Sequence, residues 1–164
     1  MNKLSSNNYF IKKIKNFFFP FYNSNEIKKL FGALEKNKEK NEKVAMFVGG
    51  CVRNFLNNEK VDDIDIATTL SPDEIIKKLA STDIKVIETG IEHGSLTLVV
   101  NKSRFEITTL RKDVSTDGRH AKINYTNDWK MDSERRDFTI NAIYMDQKGK
   151  IFDPQSGVKD LKKK

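Results

Sequence analysis

Asp63-Ile64-Asp65-Ile66 sets two carboxylates at i and i+2, thirteen residues after an apolar run, Val44 to Val48, closes on Gly49-Gly50. In an extended strand, positions i and i+2 project to one side, so Asp63 and Asp65 share a face while Ile64 and Ile66 turn to the core. Such a pair suits a hard divalent cation. Mg²⁺ keeps several waters and takes one or two carboxylates together with substrate phosphates. Acidic residues alternating with isoleucine also describe an ordinary half-exposed strand, so the pair gains meaning only from its company.

A Gly-Gly pair where a strand turns into a helix lets backbone approach a ligand closely, and the free N–H groups of the helix start face phosphate oxygens. Arg53, one turn into that helix, either extends a guanidinium to the same phosphates or is a surface arginine. Glu106 lies in Phe105-Glu106-Ile107-Thr108-Thr109-Leu110, a strand able to run beside the aspartates and supply a third ligand or a base; the plainer reading is a charge on the wet face of a sheet. The segment Arg135 to Ile143 reads as a helix on which Arg136, Asp137 and Asn141 either meet phosphate and ribose or form a surface ion network. His93 and His120 lack partners at metal or triad spacing. Cys51, after Gly50, reads as a small residue filling space.

The elements that must hold these residues have their own signals. Ile27, Leu30, Phe31 and Leu34 recur at helical spacing before the charged stretch 36–43, and Val52, Phe55 and Leu56 suggest a short helix before Asn57-Asn58. The Asp pair occupies the second strand. Ser71-Pro72-Asp73-Glu74 supplies an N-cap, a proline at the first helical position and a capping-box glutamate. Lys85 to Thr89, Ser95 to Val100 and Phe105 to Leu110 form an antiparallel meander. Residues 111–130 read as a functional loop, with Tyr125 and Trp129 open to RNA contact, and Tyr144 to Asp146 pairs with Ile151 to Asp153 across Gln147-Lys148-Gly149. A further element begins at Asp160. Trp129, Tyr144 and Phe152 read as anchors in the core or a loop.

With 164 residues, 37% of them hydrophobic and 32% charged, the chain fits one folded domain. A lone cysteine excludes an internal disulfide framework and suits a reducing, cytoplasmic setting. The net charge of +7 permits RNA binding without requiring it. Phe10 to Tyr22 is basic and aromatic, but Pro20 interrupts it and its apolar run is too short to cross a membrane, so it is expected to pack on the domain.

Val48 to Arg53, Asp63 to Thr68, His93-Gly94, Phe105 to Arg111, Gly118-Arg119-His120 and Arg135 to Ala142, in this order, resemble the head domain of bacterial-type (class II) CCA-adding enzymes and poly(A) polymerases, within the polymerase-β-like nucleotidyltransferases. The resemblance covers about residues 27–161. It implies an α+β fold, a small mixed sheet flanked by helices, with residues 1–26 a basic, aromatic extension and 27–164 the head, the family's neck, body and tail being absent. It implies two Mg²⁺ ions held by Asp63 and Asp65, with Glu106 as third acid. Gly49, Gly50, Arg53 and Arg136 would hold the triphosphate, and Asp137 and Asn141 the ribose. The implied activity is transfer of CMP and AMP from CTP and ATP to a tRNA 3′ end, in partnership with a separately encoded body subunit. A poly(A) polymerase-like head acting on other RNA 3′ ends, or an inactive product that binds only nucleotide or RNA, are the alternatives. Asn54 departs from the pattern, since many members carry Asp there.

Overall fold

A computed structural model describes residues 20–40, 42–112 and 124–163 of the chain. The expectations for Phe10 to Phe19, for Gly118-Arg119-His120 and for most of the 111–130 loop lie outside them.

Ser24 opens helix α1 (Asn25–Leu34), its side chain accepting the Ile27 N–H at 3.2 Å. Ile27, Leu30, Phe31 and Leu34 form its buried stripe. At roughly 1.5–3 kcal/mol for each large apolar side chain removed from water, that stripe anchors the helix more strongly than its cap does. Just upstream, Phe21 and Tyr22 pack on the same core, Phe21 edge-on to Phe47 at 5.0 Å between ring centroids. The expected packing of the aromatic segment is thus seen for these two residues.

Strand β1 (Ala45–Val48) is buried throughout, as a strand covered on both faces must be. Gly49 then turns the chain into helix α2 (Gly50–Leu56) at φ +75° and ψ −138°, a conformation that glycine reaches without a Cβ clash. Strand β2 (Asp65–Thr68) precedes helix α3 (Pro72–Leu79). The α3 capping box is complete: Ser71 accepts the Glu74 N–H, and the Glu74 carboxylate accepts the Ser71 N–H at 2.8 Å. The expected meander is β3 (Lys85–Gly90), β4 (Ser95–Val100) and β5 (Ser103–Thr109). Strands β6 (Arg111–Lys112) and β7 (Asn124–Tyr125) form a separate two-stranded sheet, helix α4 spans Trp129–Glu134, and β8 (Tyr144–Met145) pairs with β9 (Ile151–Phe152) as the expected hairpin. Helix α5 is Gly157–Leu161.

Seven strands make one mixed sheet in the order β3-β4-β5-β2-β1-β8-β9, parallel only between β2 and β5. One face carries Phe47, Ile66, Leu96, Leu98 and Ile107 into the main core beneath α1, α2 and α3. The opposite face is divided. Met46, Val48, Ala67 and Tyr144 form a smaller apolar cluster with Trp129 and Phe152, whereas on β4 and β5 the same face bears Ser95, Thr97, Glu106 and Thr108.

Three expectations are revised. Strand β2 begins at Asp65, so Asp63 stands in a bend before it, although the Glu106 N–H extends the ladder back to the Ile64 carbonyl at 3.1 Å. Residues 135–143 do not form one helix: α4 is capped at Arg135, Phe138 is extended at φ −133° and ψ 139°, and Thr139–Asn141 make a separate 3₁₀ turn. Asp137 accepts its neighbour's N–H, Phe138 N to Oδ1 at 3.1 Å, a local bond that competes with helix continuation. The last helix starts before Asp160, because the Asp153 carboxylate caps the N–H groups of Gly157 and Val158 at 2.8 and 2.9 Å.

Helix α5 clamps the 139–141 turn. A Cβ on Gly157 would stand 2.1 Å from the Thr139 carbonyl oxygen, and Thr139 Oγ1 donates to Asp160 Oδ2 at 2.8 Å. Gly157→Ala is therefore expected to cost at least about 2 kcal/mol in urea unfolding, since backbone and not a flexible side chain must move. An unchanged midpoint would show that the close approach is not needed.

Candidate active site

Residues paired across neighbouring strands project to the same face. Thr97 pairs with Glu106, Glu106 with Asp65, Asp65 with Val48, Val48 with Tyr144, and Tyr144 with Phe152, so one rung crosses six strands. Its members pass from apolar at β9 to polar at β4. Asp65 and Glu106 occupy the junction, side by side through the parallel register of β2 and β5. Burial first, then the carboxylates of Glu106 and Asp63, push Asp65 above the ordinary carboxylate range, against an opposing pull from Arg136. The sheet thus sets Asp65 beside Glu106, and Asp63 stands in the bend two residues before Asp65.

Their chemistry suits Mg²⁺: the donors are oxygens, and a divalent cation relieves the repulsion that raises Asp65. Among the described residues no group of three or more His, Cys, Asp or Glu side chains is arranged to hold a metal ion by itself. Mg²⁺ needs none, since water and substrate oxygens complete its octahedron.

The glycine turn abuts this junction. A Cβ on Gly49 would lie 3.6 Å from Asp65 Oδ2, and one on Gly50 would lie 3.6 Å from Arg53 Nη2. Arg53 crosses to the turn before β8, donating from Nη1 to Asn141 Oδ1 at 2.7 Å. It is also held from Nε and Nη2 by Asn54 Oδ1 at 3.3 and 3.2 Å. The Asn54 amide in turn donates to the Lys60 carbonyl at 3.2 Å, tying Arg53 to the loop that leads to Asp63. The glycines, Arg53 and Asn141 thus form one continuous wall, whereas Asp137 is exposed and touches neither Arg53 nor Asn141.

Arg136 is held against Tyr144, on the sheet face that bears Asp65. Asp132, fully buried, accepts from Arg136 Nε and Nη2 at 3.2 and 3.0 Å, from Arg135 Nη2 at 2.7 Å, from the Tyr144 hydroxyl at 2.7 Å and from the Arg111 N–H at 3.2 Å. Burial alone would raise Asp132; Arg136, then Arg135 and the Tyr144 hydroxyl, bring it below the usual carboxylate range. Asp132 and Asn54 were not singled out for chemistry from the sequence, and Tyr144 was taken only as an anchor. The i+3 and i+4 spacing of Arg135 and Arg136 from Asp132 was legible as an ion-pair pattern, but its burial was not.

Cys51 is buried, its thiol donating to the Val48 carbonyl at 3.1 Å, and burial pushes it up to about 11, so it fills space as expected. His93 is exposed, and its carbonyl accepts from Arg111 Nη1 at 2.8 Å. Tyr125 is exposed on one side and packs on Gly94 with the other, whereas Trp129 meets Tyr144 edge-on within the smaller cluster.

Residues 45–164 match the family described as Poly A polymerase head domain. The chain is 47% identical over 117 residues to CCA tRNA nucleotidyltransferase 1, mitochondrial, of Homo sapiens, covering 71% of this chain and 27% of that protein. It is 41% identical over 122 residues to a CCA-adding enzyme of Lactobacillus delbrueckii subsp. bulgaricus, covering 73% and 30%. Among solved structures, the Bacillus stearothermophilus CCA-adding enzyme in complex with CTP superposes with TM-score 0.67 at 32% identity, over 85% of this chain and 32% of that one. A tRNA nucleotidyltransferase complexed with a primer tRNA and an incoming ATP analog does so with TM-score 0.55 at 31% identity, over 73% and 33%. The chain thus spans a third or less of the length of these relatives.

The crowding of charge at Asp65 has a measurable sign. A carboxylate whose folded pKa is raised costs stability when ionised, so Asp65→Asn is expected to raise the metal-free melting temperature by a few degrees at pH 7. That gain fades as pH falls from the raised folded pKa toward about 4 and is gone below it, where the carboxyl is protonated folded and unfolded alike. Mg²⁺ with nucleotide should raise the wild-type midpoint but not that of the variant; a variant less stable than wild type at pH 7 would contradict the repulsion.

Proposed function

The chain belongs to the Poly A polymerase head-domain family, and on that premise we propose that it is the catalytic head of a CCA-adding tRNA nucleotidyltransferase, transferring CMP and AMP from CTP and ATP to a tRNA 3′ end. The single observation that carries this reading is the Asp65–Glu106 junction set against the Gly49 turn, three carboxylates beside a wall of backbone and guanidinium. Asp63 and Asp65 would hold Mg²⁺, two ions in the full site, with Glu106 completing their acidic surroundings. When bound, Mg²⁺ neutralises the triphosphate oxygens and lowers the barrier to attack by a hydroxyl and to loss of pyrophosphate.

The chain's own residues position the substrate. Backbone N–H groups at the start of α2 and the Arg53 guanidinium receive triphosphate oxygens, because anions bind at a helix N-terminus and bidentately on arginine. Arg136 adds positive charge on the Asp65 side. Asn141, oriented by its bond to Arg53, faces the ribose with Asp137. We assign residues 27–164 to this head and 1–26 to an extension attached through Phe21 and Tyr22. Among the described residues no helix is long and apolar enough to cross a membrane. We place the protein in the cytoplasm, a reading supported by its single cysteine.

The test is incorporation of labelled CMP and AMP into tRNA lacking its CCA end, with Mg²⁺, with and without the body of a relative supplied in trans. Asp63→Ala is expected to lower transfer by more than the roughly 10–100-fold that loss of an outer-shell partner costs, and to weaken Mg²⁺-ATP binding in titration calorimetry. Unchanged Mg²⁺-ATP affinity in Asp63→Ala would sink the metal assignment. Long A-tails on unstructured RNA, without CMP incorporation, would instead favour a poly(A) polymerase.

A further inference from the structure

We propose that Asp132 is a positioning residue for the nucleotide site, holding the Arg136 guanidinium in the orientation in which it serves the triphosphate beside Asp65. The proposal rests on the nucleotide reading of that site. Asp132 is 0% exposed and has both carboxylate oxygens engaged, Oδ1 by Arg135 and the Arg111 N–H, Oδ2 by Arg136 and the Tyr144 hydroxyl.

Arg136 is thereby fixed along one edge. Its Nε and Nη2 point to Asp132, Nε also donates to the Tyr144 hydroxyl at 3.2 Å, and the guanidinium carbon stands 5.4 Å from the centre of the Tyr144 ring. No protein acceptor among the described residues takes its Nη1. Tyr144 belongs to the same rung as Val48 and Asp65, so the clamp stands on the sheet face that bears the carboxylates, two strands from Asp65.

A buried ion pair is a poor device for stability alone, since desolvation offsets most of its Coulombic gain and apolar replacements are often neutral or better. What it does supply is a fixed direction for a charge. Arg135 provides the internal control: it pairs with the same carboxylate, whereas Arg136 also donates to the Tyr144 hydroxyl, on the rung that carries Val48 and Asp65.

The experiment titrates Mg²⁺-ATP into the full chain by calorimetry. Asp132→Asn is expected to bind about tenfold more weakly, the scale of one lost charge-assisted hydrogen bond, and to add nothing further in an Arg136→Ala background. Arg135→Leu should lose stability without losing affinity. Wild-type affinity in Asp132→Asn, an equal loss in both backgrounds, or a comparable loss in Arg135→Leu would each overturn the positioning role.

If Asp132→Asn does not fold, Tyr144→Phe carries the test. It keeps the ring packed on Trp129 while removing the hydroxyl, and should weaken Mg²⁺-ATP about threefold in wild type and not at all beside Arg136→Ala. Equal effects in the two backgrounds would overturn the proposal. A wild-type chain that fails to bind Mg²⁺-ATP would overturn the nucleotide reading itself; a wild type that binds, with an unaffected Asp132→Asn, overturns the positioning role alone.

Discussion

The parallel register of β2 and β5 sets Asp65 directly beside Glu106, with Asp63 one bend away, and the surrounding structure accommodates that concentration of negative charge. Partial burial disfavours the ionised form of Asp65, and the neighbouring like charges add to the cost. A protein selected only for stability would not keep them. They persist because the sheet over-determines the register: Ile66 and Ile107 on the opposite face are fully buried, and a one-residue slip would send both toward solvent.

Around this junction the positive groups are held by neighbours that are themselves fixed. Arg53 is tied to Asn54 and Asn141, and Arg136 to Asp132 and Tyr144. Neither guanidinium closes an ion pair with Asp63, Asp65 or Glu106 among the described residues, so the acidic and basic halves remain separate. That separation is the electrostatic form of a site for a metal and a polyanion, because direct neutralisation would remove the charge each ligand needs. Helix α5 completes the arrangement from behind by packing Gly157 on the turn that presents Asn141.

The aspartate pair, the glycine turn, Arg53 and Glu106 were legible in the sequence because each rests on a local rule. Alternation puts Asp65 and Glu106 on the face opposite Ile66 and Ile107, though Asp63 falls in the bend before the strand, and glycine permits the strand-to-helix turn. The meander and the α3 cap were legible for the same reason. The segment after Glu134 was misread, because Asp137 forms a local bond that competes with a helix which composition alone would continue.

The sequence by itself therefore determined the chemical kinds present, their order and most of the elements that carry them, since periodicity and capping act over a few residues. Only the tertiary structure decided which strands became neighbours. It joined Asp65 to a glutamate forty-one positions away and Arg53 to Asn141 eighty-eight positions away. It also buried Asp132 beside the site, where Trp129 and Tyr144 pack on the same face of the sheet as Asp65. Burial and long-range register depend on the whole chain closing at once, and no local spacing records them.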